Sequence, residues 1–216
     1  MVALSQAKKE SIMLTLFHAP QSRSTRVVGL VHAMGIADRV DIRVVSIPRV
    51  DGTGARDPAN PHPDGKVPLL MDGAVAVWET AAIMIHLTDL FPEAGLGVPV
   101  GDPRRGEFLS WMVWYQGVVE PALICDAAGV DHPWIRAAIR GRAEVLARLD
   151  AALARGPWLM GDRFTAADML LASPFQWFQD ALPESARVAE WVARCSDRPW
   201  SAAVQAQEAA AMQAAA

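Results

Sequence analysis

The chain has 216 residues, 52% of them apolar and 20% charged, and a formal net charge of −4. That length suits one large domain or two of about 100 residues each, and the composition is globular, with no uninterrupted apolar stretch near the roughly 20 residues of a membrane span. With no basic run there is no electrostatic footprint for DNA or RNA, and two distant cysteines and five scattered histidines give neither a disulfide framework nor a metal site.

In chain order, "MVALSQAKKESI" lacks the continuous apolar region of an export signal and reads as a loose tail. "MLTLF" is a short strand. "STRVVGLVHAMGI" sets Val27, Val28, Leu30, Val31 and Met34 at helical spacing, and Gly35 supplies a stop. "RVDIRVVSI" alternates as a second strand, and the Pro, Gly, Asp and Asn of "PRVDGTGARDPANPHPDG" then make a long loop. "KVPLLMDGAVAVWE" gives two runs around Asp72-Gly73, a hairpin signal, so the third and fourth strands are antiparallel. "ETAAIMIHLTDLF" follows as a helix closed by Pro92. The order β-α-β-β-β-α predicts a small mixed sheet with helices on its faces.

The composition breaks at residues 93–103, which read as a linker between a first domain at 13–92 and an all-helical domain at 104–216. "RRGEFLSWMVWYQGVVEPALI", "PWIRAAIRGRAEVLARLDAALA" and Arg187 to Cys195 carry helical periodicity. In "FTAADMLLA", Thr165 is placed to cap a helix and Asp168 to reach back to it. "AVQAQEAAAMQAAA" can continue a helix on alanine propensity but is marginal on its own, and no function attaches to it here.

"APQSRSTRVV", "NPHPDGKVPLL", "WETAAIMIHL" and "MGDRFTAADMLLA", in this order and spacing, resemble the glutathione S-transferase family from about Met13 to Pro199. The resemblance implies an α/β thioredoxin-like N-terminal domain followed by an all-α C-terminal helical bundle, glutathione as cosubstrate, no metal, a small electrophile as second substrate, a homodimer, and a cytoplasmic, detoxifying role. It implies a cis bond at Val67-Pro68, which also addresses why a proline opens an apolar run. Proline weakens any ladder it joins, whereas Val67 could hold glutathione's cysteinyl moiety by strand-like addition at a sheet edge while Pro68 blocks further pairing. It places Glu79 and Thr80 at the γ-glutamyl group, on a helix start where unpaired N–H groups favour a carboxylate. Lys66 answers to the contact with the glycyl carboxylate, and His62 is a further candidate.

Aligning Arg26-Val27 with the family's first helix puts Ser22 at the hydroxyl that donates to the glutathione sulfur. Ser24 lies two residues on and could instead cap the helix, and Gln21 and Thr25 are neighbouring donors. Trp111, Trp114 and Tyr115 share a helix face at i, i+3 and i+4 and could wall an electrophile pocket or pack as core; Trp177 and Phe178 are similar. The implied activity is conjugation. A peroxidase or disulfide reductase using the same thiolate, and a non-catalytic glutathione-fold module, are the two rivals.

Overall fold

The computed structural model describes residues 13–177 and 185–214. Its first part is β1 (Leu14–His18), α1 (Thr25–Ala33), β2 (Val40–Val44), β3 (Leu69–Asp72), β4 (Val75–Trp78) and α2 (Thr80–Leu90). The four strands form one mixed sheet in the order β2-β1-β3-β4, with β1 parallel to β2 and antiparallel to β3. Parallel neighbours need a crossover, and α1 supplies it. Leu16 pairs with Leu70, and both are wholly buried with Val27, Val28, Leu30 and Val31 of α1 and Ile83 and Met84 of α2. Each such side chain contributes about 1.5–3 kcal/mol on leaving water, so the apolar face of α1 is fixed against the sheet.

Two local expectations shift. Asp72 pairs with Val75, so the hairpin loop is Gly73-Ala74, with the positive φ of +60° falling on Gly73. A turn with the glycine at its first central position answers that geometry. More consequentially, β3 lies between β1 and β4 and is no edge strand. Val67-Pro68, which is cis, stands at its N-terminal end, beyond the last ladder pairs.

The rest of the chain is helical: α3 (Arg105–Trp114), a π-helical turn (Tyr115–Val119), α4 (Glu120–Ala127), α5 (Pro133–Ile139), α6 (Arg142–Leu153), α7 (Ala166–Trp177), α8 (Ala186–Ser196) and α9 (Ser201–Ala214). Helical periodicity alone reads 133–154 as continuous, but Arg140 adopts φ +64° and Gly141 an extended conformation, and the helix restarts at Arg142. Phe108, Met112, Tyr115, Leu149, Leu170, Phe175 and Trp191 are buried in this part. The cap of α7 forms as its sequence predicts: Ala167 N–H donates to Thr165 Oγ1, and Thr165 N–H donates to Asp168 Oδ2 at 2.9 Å. Asp168 also accepts from Leu159 N–H and Trp191 Nε1, so one buried carboxyl ties cap, loop and α8 together. Burial pushes that carboxyl above its ordinary range against the pull of those bonds.

By its contacts the chain divides into two compact units, Met1–Met84 with Pro199–Ala216, and Ile85–Arg198. The alanine-rich C-terminal segment, expected within the helical domain, thus groups with the sheet, where α9 lies against α1. Among the described residues no helix is long and apolar enough to cross a membrane. No three His, Cys, Asp or Glu side chains of these residues come together as metal ligands.

Candidate functional site

The register decides which loops meet. Because Phe17 pairs with Leu69, and Leu69 with Trp78, the residues following β1, preceding β3 and following β4 emerge at the same end of the sheet. The loop carrying Ser22, the pair Val67-Pro68, and Glu79 with Thr80 are therefore brought together, and Phe17, Ala19, Val45, Val67 and Leu69 pack as one buried cluster beneath them.

The loop after β1 is held almost entirely by polar contacts. Ser22 Oγ lies 2.7 Å from Ala19 O, its acceptor, and 2.7 Å from Ser24 Oγ. Ser24 Oγ accepts from Ala19 N–H at 3.1 Å and lies 2.8 Å from His18 Nδ1. Although Ser24 stands at the N-cap position of α1, its side chain makes no cap bond; it points inward and is wholly buried, as is His18. Ser22 is half-buried, Thr25 opens α1, and Gln21 is exposed with φ +54°. Arg49 donates to Pro20 O at 2.7 Å and pins the loop from the segment after β2.

Two participants escaped the sequence reading. Glu208 of α9 accepts from Gln21 N–H at 2.9 Å through Oε2, and its Oε1 lies 3.2 Å from His18 Nε2. The second contact does not meet hydrogen-bond geometry; it sets the carboxylate against the ring nitrogen. Burial pushes the Glu208 carboxyl up, but His18 and the Gln21 N–H outweigh it and hold it below the usual carboxylate range. Gln207, its neighbour, lies 2.6 Å from His32 Nε2 on α1. The available signal was that Glu208 is the one charged residue in the α9 sequence; nothing local tied it to a strand 190 residues away.

At the facing loop, no hydrogen bond within the described residues engages Val67 N–H or C=O. Lys66 is exposed, and its carbonyl accepts from the buried Asn60 amide at 3.0 Å. His62 is buried, with Nδ1 accepting from Asp64 N–H, so it builds the turn and presents no face to a ligand. Glu79 is exposed at φ +68°, a conformation non-glycine residues rarely hold, and it precedes Thr80, buried as the first residue of α2.

Trp111, Trp114 and Tyr115 belong to the second unit. Trp111 and Trp114 meet edge to face at 5.4 Å, and the Arg148 guanidinium lies over both rings. Tyr115 is wholly buried, with its hydroxyl donating to Glu120 at 3.0 Å, so it packs as core and cannot wall an open pocket. Trp177 is exposed, and Phe178 lies outside the described residues. Cys195 is buried, and burial pushes its thiol far above the ordinary range, so it is no nucleophile.

Comparison with known proteins supplies context for this geometry. Residues 133–194 match the family described as "Glutathione S-transferase, C-terminal domain". The chain is 29% identical over 147 residues to the glutathione S-transferase GstA of Escherichia coli O157:H7, covering 64% of this chain and 71% of that protein. It is 30% identical to the theta class glutathione S-transferase of Xanthomonas axonopodis pv. citri, whose structure has glutathione bound; the match covers 87% of this chain and 94% of that one, with a TM-score of 0.66. It is also 28% identical over 131 residues to the disulfide-bond oxidoreductase YghU of Escherichia coli (strain K12), covering 54% and 42% of the two chains.

Proposed function

Because the chain belongs to the glutathione S-transferase family of enzymes, we propose that it binds glutathione at the shared strand end of its first unit and activates the thiol for attack on small apolar electrophiles. The observation that carries this reading is the juxtaposition there of a half-buried hydroxyl, an unengaged backbone at Val67, and the start of α2 headed by a positive-φ glutamate. Val67 N–H and C=O take the cysteinyl backbone as an added strand would. The first turn of α2 with Thr80 receives the γ-glutamyl carboxylate, Glu79 its ammonium, and Lys66 the glycyl carboxylate. No metal enters. The protein acts in the cytoplasm as a homodimer.

The hydroxyl has a modest task. A thiol of pKa near 8.5 is only about 3% ionised at pH 7, and lowering it by about 2 units requires about 2.7 kcal/mol. One hydrogen bond to the charged sulfur, about 1.5–3 kcal/mol, with the positive end of α1, is of that size. Ser22 fits the donor's part better than Ser24, since Ser24 is sealed beneath it.

A second reading, favoured by the likeness to a disulfide-bond oxidoreductase, directs the same thiolate at a disulfide or a peroxide. Calorimetric titration with glutathione, followed by parallel assays of thiol conjugation and disulfide reduction, separates the possibilities. Binding with conjugation of an aromatic halide is the expected result. Reduction without conjugation selects the second reading, and binding without turnover marks a non-catalytic module.

A further inference from the structure

Ser22 does not stand alone. Its hydroxyl continues inward through Ser24 Oγ at 2.7 Å to His18 Nδ1 at 2.8 Å, and the other ring nitrogen faces Glu208 at 3.2 Å. The two inner members, His18 and Ser24, have no solvent exposure. Resting on the glutathione reading above, we propose that this chain is a proton relay: His18 receives the thiol's proton through Ser24 and Ser22, and Glu208 positions the ring to accept it.

Hydrogen-bond capacity limits the directions open to this chain, with Ala19 O, 2.7 Å from Ser22 Oγ and 3.2 Å from Ser24 Oγ, as the alternative acceptor. A hydroxyl has one proton and two acceptor sites. With a single proton on the ring, the Glu208 carboxylate favours Nε2 as its place, leaving Nδ1 to accept from Ser24, whose oxygen accepts from Ala19 N–H and, once the Ser22 hydroxyl turns to it from Ala19 O, from Ser22. Ser22 can then give nothing to a sulfur without abandoning Ser24. When the thiol ionises, the S–H proton passes to Ser22 Oγ, the Ser22 proton to Ser24 Oγ, and the Ser24 proton to His18 Nδ1. Three bonds to hydrogen break and three form. The chain now donates outward at every link: Nδ1–H to Ser24, Ser24 to Ser22, and Ser22 to the thiolate. Both acceptor sites of each hydroxyl are filled, because Ala19 N–H remains on Ser24 and Ser24 N–H lies 3.2 Å from Ser22 Oγ. The charge leaving the sulfur site as a proton is held by a buried ring beside a carboxylate.

Several charged groups on the elements packed around the ring are engaged elsewhere. On β2, Arg43 and Asp41 pair with each other at 2.8 Å; Arg49 is engaged on Pro20 O; β4 carries no charge; Asp72 is at the far end of β3. On α1, His32 meets Gln207 and Arg26 lies one turn from the loop. Glu208 presents a carboxylate 3.2 Å from Nε2. His18, Ser24 and Glu208 touch no substrate and are positioning residues.

The test is proton counting. Glutathione is titrated calorimetrically in two buffers of different ionisation heat while ultraviolet absorbance follows thiolate formation, in the wild type and in Glu208→Gln, with S-methylglutathione as the thiol-free control. An amide at 208 can still accept from Gln21 N–H, but its NH₂ group directed at Nε2 leaves Nδ1 as the protonated nitrogen and blocks the relay, as a wrong tautomer does. The wild type should form thiolate with almost no proton released. Glu208→Gln should release one proton per thiolate and shift the thiol titration up by about 1 pH unit, with S-methylglutathione affinity unchanged. A full proton released by the wild type, an unaltered titration in the variant, or equal loss of both ligands in the variant would each overturn the relay. Wild-type protein that binds neither ligand would instead refute the glutathione reading beneath it.

Discussion

Gln21 and Glu79, with Arg140, are the non-glycine residues at positive φ among the described ones, and two of the three flank the candidate site. Such conformations cost on the order of 1–3 kcal/mol each and persist where the surroundings impose them. Glu208 and Arg49 impose the first, holding Gln21 N–H and Pro20 O on either side of one peptide link. The result is a hydroxyl at Ser22 aimed by its neighbours. Replacing it, Ser22→Ala, is expected to leave glutathione affinity within a few-fold and to raise the bound thiol's titration midpoint by about 1–2 pH units, the value of one hydrogen bond to a charged acceptor. Ultraviolet titration of the complex reads this directly. An unchanged midpoint would move the donor's role to a neighbouring group.

Among the elements, α9 departs most from what its sequence suggests. Alanine-rich and nearly uncharged, it has the composition of a helix that frays alone, yet Gln207 and Glu208 attach it to α1 and the loop after β1. Its docking should be sensitive to acid. The Glu208 carboxyl is held below its ordinary value of 4.5, so its contribution is present above that value and is lost as pH falls through the folded one. Hydrogen-exchange protection at α9 and at Gln21 N–H, corrected for the intrinsic exchange rate at each pH, is therefore expected to fall at about pH 3 relative to about pH 6 more than in α7; an equal fall in both helices would contradict it. The strands, α1 and the α7 cap were legible because alternation, helical spacing and cap chemistry are local. The placing of β3 inside the sheet, the break at Arg140-Gly141 and the docking of α9 were not, since each is settled by partners distant in sequence or by a single backbone angle.

Across the whole molecule, the candidate site is legible for the same reason in part. Val67, Pro68, Glu79, Thr80 and Ser22 sit in short motifs, and the pairing of β1 with β3 and β3 with β4 gathers those motifs to one end. Tyr115 misled because helical spacing reports a shared face but not whether that face meets solvent. His18 and Glu208 were hidden because their chemistry exists only once the two ends of the chain have met in one compact unit. On the proposed reading, this unit keeps a borrowed thiol ionised. The decisive measurement is a pH titration of the ultraviolet absorbance of the wild-type glutathione complex: the midpoint is expected about 2 units below the free thiol's value near 8.5, and a midpoint at the free value, with glutathione bound, would overturn this reading.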